Sequence, residues 1–281
     1  MLPLRALADR PVSTTARDWL SQLRADLDDP SCDRNRLCRG ILTELWYPEH
    51  RNDWETAAND IRLPVATRLA LAAMDPCNVT LEPEYYADCD HERFQRVKPL
   101  LWLWYSFDRT PAGGQNVWLG VELRRLLARY IFKRCGENFK AFHNVEFSFG
   151  YNMEVGDNVV VHRNVLLDDR GGIIIGNNVS ISDYANIYSH THSIVEQKDV
   201  TNAVTRLDDG VRITYHATVL AGVHVNEQSM VGAMAVATKD VRPYHVYVGI
   251  PAKSVRVKPN APTTGTGTGT VLRTSHERGK G

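Results

Sequence analysis

Five consecutive residues, Ser189-His190-Thr191-His192-Ser193, place two imidazoles two positions apart. An imidazole with an unperturbed pKa of roughly 6.5 can take the proton of an attacking hydroxyl near neutral pH, or bind a metal through its neutral nitrogen. Two more histidines, His162 and His216, flank this segment, and two basic residues, Lys253 and Arg256, stand downstream. The bland alternative is that these are solvated loop histidines and a solvated basic tail.

The elements that must hold these residues repeat every six positions. Units open at Phe149, Val155, Val161 and Leu167, resume after a two-residue slip at Ile175, Ile181 and Ile187, and return at Ile213, Val219, Val225, Val231 and Ala237. The fifth position of most units is small or modest (Val159, Val165, Val179, Ala185, Ala217, Val223, Ser229, Ala235). Such a period fits a solenoid in which each hexad is a short strand and a corner. The first residue fills the bore, the fifth sits near a corner, and Gly, Asn and Asp take the turns. Three hexads close a triangular coil, and coils stack at roughly 4.8 Å as parallel strands. No helical segment separates the strands, which argues against an ordinary α/β sheet. The histidine segment ends the unit opened by Ile187, and the excursion 193–210 after it loses the register. A loop of that length is uncommon without a role.

Four stretches carry a family resemblance: GDN at 156–158, SHTHS at 189–193, ATKDVRPY at 237–244 and VGIPAKSVR at 248–256. With them the chain resembles the hexapeptide-repeat acyltransferases, and within these the sugar and galactoside O-acetyltransferases. The resemblance implies a left-handed parallel β-helix, although sequence physics alone favours right-handed crossovers. It also implies a homotrimer with each site between two β-helices, and acetyl-CoA as co-substrate with no metal. The reaction implied is direct attack by a hydroxyl of a saccharide-like acceptor. His192 aligns with the family's general base, with His190 orienting or contacting substrate. His162, Asp169 and Arg212 fall on the acceptor side. Gly232 and Ala233, Thr238 and Lys239 would follow the pantetheine arm, and Lys253 and Arg256 would meet the CoA phosphates. The chain departs from the pattern at His162 (an asparagine in relatives), Arg212 (a tryptophan), Ala221 (a proline) and Met234 (a glycine). A guanidinium prefers carboxylate or phosphate where an indole stacks on a pyranose, so an anionic acceptor is expected.

The rest of the chain sets the frame. Lys plus Arg equals Asp plus Glu at 33 each, so nothing in the charge balance asks for nucleic acid. The start, MLPLRALADRP, lacks a signal-peptide apolar run, and five cysteines without CxxC spacing read as thiols in a reducing cytosol. Residues 1–98 read as a helical region. Leu20, Leu23 and Leu27 form one stripe, Asp33 caps a second helix stopped by Pro48, and a third runs from Asp53 through Met74 with a break at Pro64. The stretch 76–99 looks loop-rich. In 99–134 an apolar segment precedes a basic amphipathic helix over 116–134. This helix either lies on a membrane surface or, the favoured reading, caps the first coil. The β-helix spans 135–258, and a Gly/Thr-rich tail, 259–281, should be disordered.

Two other functions stay open. A γ-carbonic-anhydrase-like zinc lyase uses the same fold with three histidines, but its pair five residues apart is missing here. A non-catalytic trimeric scaffold would leave the SHTHS segment, Lys253 and Arg256 without a role.

Overall fold

The computed structural model describes residues 13–113, 116–196 and 198–262. The N-terminal dozen residues and most of the Gly/Thr-rich tail, on which two of the expectations above fall, lie outside the described residues. From Arg134 the chain winds into a parallel β-helix with three faces. The first face stacks strands at Arg134–Cys135, Met153–Val155, Ile173–Ile175, Thr205–Leu207 and His224–Val225. The second stacks Lys140–Ala141, Val160–Val161, Ser180–Ile181, Arg212–Ile213, Met230–Val231 and His245–Val248, with Lys253–Val257 turned back antiparallel on the last. The third stacks Glu146–Phe147, Leu166–Asp168, Asn186–Tyr188, Thr218–Val219 and Val236–Ala237.

Register pairs show which side chains fill the bore. Val155, Ile175, Leu207 and Val225 align on the first face, Ala141, Val161, Ile181, Ile213 and Val231 on the second, and Phe147, Leu167, Ile187, Val219 and Ala237 on the third. All are buried, as are the fifth-position residues from Val159 to Ala235. Asn138, Asn144, Asn158, Asn164 and Asn178 take the left-handed corner conformation with φ between 55° and 57°, which a short amide tolerates better than most side chains.

Two details of the solenoid differ from the sequence reading. The first unit opens on Phe147, the register partner of Leu167, and not on Phe149. The corners from 147 to 155 and from 167 to 175 therefore both carry two extra residues, and Phe149 packs inside the first of them. The excursion is also shorter than 193–210. Thr205–Leu207 is already a strand of the first face, paired with Ile173–Ile175. Leu207-Asp208-Asp209-Gly210-Val211-Arg212 is a hexad that the search for aliphatic starts passed over.

The helices are α1 (Thr14–Asp28), α2 (Arg34–Trp46), α3 (Trp54–Ala57), α4 (Val65–Ala73), α5 (His91–Phe107) and α6 (Val117–Ile131). Asp33 caps α2 by accepting from Arg36 N–H, and Asp90 caps α5 by accepting from Arg93 N–H. Residues 91–99 of the segment expected to be loop-rich are thus helix. Helix α5 runs through Pro99 and across the boundary drawn between 98 and 99. One apolar core continues from Leu23 in α1 through α5 and α6 into the bore.

Helices α5 and α6 close the open end of the first coil, whose outer strand edges have no coil beneath them. Arg124 Nε donates to Ala141 O at 2.8 Å and Arg125 Nε to Phe139 O at 2.8 Å. On the third face Trp104 Nε1 donates to Val145 O at 2.9 Å, and Tyr105 Oη accepts from Phe147 N–H at 3.1 Å. Side chains thus answer the edge groups that another strand would otherwise take. The apolar face of α6 (Leu119, Leu123, Leu126, Leu127, Ile131) is spent on this packing. The membrane-surface alternative for 116–134 therefore lacks an exposed apolar face. Among the described residues no helix is long and apolar enough to cross a membrane.

Arg124 also pairs with Asp108 at 2.7 Å, with side-chain exposures of 2% and 8%. Arg124→Ala would leave a buried carboxylate unpaired and a carbonyl without a donor, and should cost about 3–5 kcal/mol. Arg129→Ala, which removes an exposed pair with Glu137, should cost less than about 1 kcal/mol. Urea unfolding of the two variants reads the difference, and equal costs would refute the capping role.

Candidate active site

The third face turns into the first at a corner where the coil spacing is irregular. In the second coil this corner holds Asp168, Asp169, Arg170, Gly171 and Gly172, and in the next coil the histidine segment leaves from the same corner. His190–His192 pairs antiparallel with Val200–Asn202, so the excursion is a β-hairpin standing off the solenoid. Its root closes through Ala203 N–H to Ser189 O at 2.8 Å. It sits directly on Gly171, where a Cβ would stand 2.2 Å from Ser189 O. A glycine is therefore required beneath the hairpin.

Asp168 is buried and organises this root. Its carboxylate accepts from Ser148 Oγ at 2.6 Å and from Ser189 N–H at 3.3 Å, and it holds Nδ1 of His190 in a short contact. Ser189 Oγ donates to Asp168 O at 2.5 Å and accepts from Gly171 N–H at 2.8 Å. A carboxylate on Nδ1 leaves Nε2 as the basic nitrogen of a neutral ring. The His192 ring stands edge-on to that of His190, with centroids 5.2 Å apart and an interplanar angle of 81°. His190 is half-buried and His192 exposed. The corner thus presents two imidazoles, one of them fixed by a buried carboxylate, on an outward-facing hairpin. That arrangement can accept a proton from a bound hydroxyl.

No family model matches the chain. A Staphylococcus aureus (strain Mu50) protein named "Putative acetyltransferase" is 31% identical over 137 residues, covering 47% of this chain and 69% of the relative. The chain belongs to the hexapeptide-repeat acetyltransferases. Galactoside O-acetyltransferase of Escherichia coli (strain K12) is 29% identical over 140 residues, covering 48% of this chain and 69% of that one. A maltose O-acetyltransferase structure from Clostridium difficile 630 superposes with a TM-score of 0.54 at 24% identity, covering 64% of this chain and 99% of the other. A galactoside acetyltransferase structure in complex with coenzyme A gives the same score and identity, covering 64% and 92%. These structural likenesses carry the fold, left-handed coil included.

The acetyltransferase does not gather all the site residues expected from its sequence. His190 and His192 share the histidine corner, and Thr238 and Lys239 lie at the same corner two coils further on, both exposed. Gly232 and Ala233 turn the corner between the second and third faces, where His162 stacks flat on Phe142 with centroids 5.2 Å apart. Arg212 stands exposed on the outer side of the second face, close enough to Lys258 to help burial lower that ammonium's pKa. It lies on the same face as Lys253 and Arg256, three strands away from their antiparallel strand, and not with the histidines. Among the described residues no three His, Cys, Asp or Glu side chains are placed to hold a metal ion.

Asp169 is a correction. It is fully buried, and its carboxylate accepts backbone N–H from Phe149 at 2.7 Å, Gly150 at 3.0 Å and Asn152 at 3.0 Å. Both oxygens are spent on the preceding coil's corner, so none is left for an acceptor. Asp168, which the sequence reading passed over, is the acid that meets the histidines. The DD pair was the available signal, but strand alternation had to be known to tell its two members apart.

Burial pushes the Asp169 carboxyl up to about 6, against the three N–H groups that pull it down. An unfolded aspartate titrates near roughly 3.9, so this group favours the fold most below that pH and the advantage is gone above about pH 6. Asp169→Ala should cost on the order of 3 kcal/mol near neutral pH by stranding three amides. Asp169→Asn should flatten the acid side of the stability profile. Chemical unfolding from pH 4 to 7 checks both, and a near-neutral Asp169→Ala would reopen an acceptor role.

Proposed function

We propose that the chain is an acetyl-CoA-dependent O-acetyltransferase whose acceptor is a saccharide-like hydroxyl compound. The observation that carries this reading is the histidine hairpin rooted on buried Asp168 in a member of an acetyltransferase family. Relatives named for galactoside and maltose acetylation, and fold neighbours described with coenzyme A or acetyl-CoA, supply the substrate classes. The hydroxyl attacks the thioester carbonyl directly. His192 takes its proton, backbone N–H groups stabilise the oxyanion, and CoA leaves as the thiol. His190, held at Nδ1, keeps the neighbouring ring and the hairpin in place.

The carboxylate on His190 favours a second assignment, in which His190 is the base and Asp168 its orienter. The two are separable. His192→Ala should lower kcat by roughly 10²–10⁴-fold with CoA affinity kept, and His190→Ala by about tenfold. If His190→Ala is the more damaging and Asp168→Asn matches it, the base is His190. If neither matters, the hairpin is not the catalytic site.

Thr238 and Lys239 share the histidine corner, but Gly232, Ala233, Lys253 and Arg256 lie away from it, so we infer that a complete site needs a neighbouring copy set against the histidine corner. A homotrimer supplies that arrangement, and the exposed pair Ile194 and Val195 at the hairpin tip gives it an apolar contact. His162 and Arg212 then face the acceptor only from the neighbouring copy, and the case for an anionic acceptor rests on that assembly. Lys253→Ala with Arg256→Ala should weaken CoA more than dephospho-CoA, because charge-assisted bonds to phosphate are lost. Equal loss for both ligands, or a monomer by light scattering, would count against the composite groove.

A further inference from the structure

The helical region touches the histidine corner through residues 86–90. Arg170, two positions past Asp168, lies with its guanidinium carbon 3.9 Å from the centre of the Tyr86 ring, and its Nη2 donates to Asp88 at 3.2 Å. The Arg170 side chain is only 5% exposed and that of Asp88 33%. The other Asp88 oxygen accepts from Asn202 Nδ2 at 2.8 Å. Asn202 is the residue paired with His190 across the hairpin. Behind Asp88 the segment is tied to the same corner one coil earlier, where Asp90 N–H donates to Tyr151 Oη at 2.9 Å and Arg93 Nη2 to Tyr151 O at 3.0 Å. One carboxylate thus joins three bodies: the α5 entry, the corner that carries Asp168, and the free strand of the hairpin.

We propose that Asp88 is a positioning residue for the histidine pair, so that the helical region completes the active site. The inference rests on reading the hairpin as the place of proton transfer. An isolated two-stranded hairpin is marginal in water, and this one is exposed along most of its length. Its histidine strand is fixed by Asp168, while the returning strand has Asp88 as its tie to the body of the protein outside the solenoid. Letting that strand swing tilts the hairpin about Gly171 and moves His192, and a displacement of about 1 Å at a reacting group can cost on the order of 10²-fold. Burial alone would raise the pKa of Asp88, but Asn202 and Arg170 together outweigh it and lower it, which keeps the tie ionised. Roughly a third of this chain lies outside its match to the maltose acetyltransferase structure, while nearly all of that structure is used. A tie to an added region is therefore open to this chain as a feature of its own.

Asp88→Ala strands the buried Arg170 charge, so Asn202→Ala, which cuts only the hairpin arm at an exposed position, is the deciding variant. It should lower kcat about 10-fold or more, leave KM for acetyl-CoA within about twofold, and shift the melting temperature by less than about 4 °C. Amide exchange at 190–193 and 200–203 should quicken by about an order of magnitude, and Asp88→Ala should add little to the exchange in the double variant. Wild-type kcat and exchange in Asn202→Ala would overturn the proposal, as would lost kcat with unchanged exchange. If wild-type protein transfers no acetyl group yet the hairpin loosens in Asn202→Ala, the proposed function fails and the tie stands.

Discussion

A stack of parallel coils has ends, and every backbone group on an end strand must find a partner that the stack itself cannot supply. This chain meets the constraint differently at its two ends. At the start, side chains from α5 and α6 reach carbonyls and amides of the first coil, with a guanidinium, an indole and a phenol each aimed at a particular edge group. At the finish, the second face is closed by a strand that turns back antiparallel. The helices at the start are held by a core continuous with the bore.

The bore itself could be read from residue spacing, because inward positions recur at fixed intervals and corners need small or left-handed residues. Ile175, Ile181 and Ile187 are in the bore because nothing else accommodates that spacing. What spacing could not give was phase where the interval changes. Phe149 looked like a bore residue because it is aromatic and six before Val155, yet the two extra corner residues shift the role to Phe147. Leu207 was missed because a hairpin ends just before it, and hairpins reset the count. Helix α5 was half hidden because Pro99 and the polar residues before it resemble a loop, although tertiary packing carries the helix through.

The candidate site was legible as a pair of histidines and a basic end, but not as a geometry. Alternation along Leu166–Asp168 and the turn that follows decide that Asp168 meets His190 while Asp169 faces inward to amides. Adjacent identical residues thus take opposite duties, and no composition argument separates them. Arg212, Lys253 and Arg256 fall on a different wall from the histidines because a triangular prism distributes consecutive hexads to different walls.

The hairpin interrupts the coil without disturbing it. Ile175 and Leu207 are register neighbours although the stretch between them is much longer than the equivalent stretch from Val155 to Ile175. To the solenoid, the inserted residues are silent: any length that leaves and returns beside Gly171 gives the same stack. The excursion can therefore be lengthened, shortened or replaced at little risk to folding. The bond between Asn202 and Asp88 limits that freedom. A change in the hairpin that removes the donor facing Asp88 breaks its tie to the segment at 86–90.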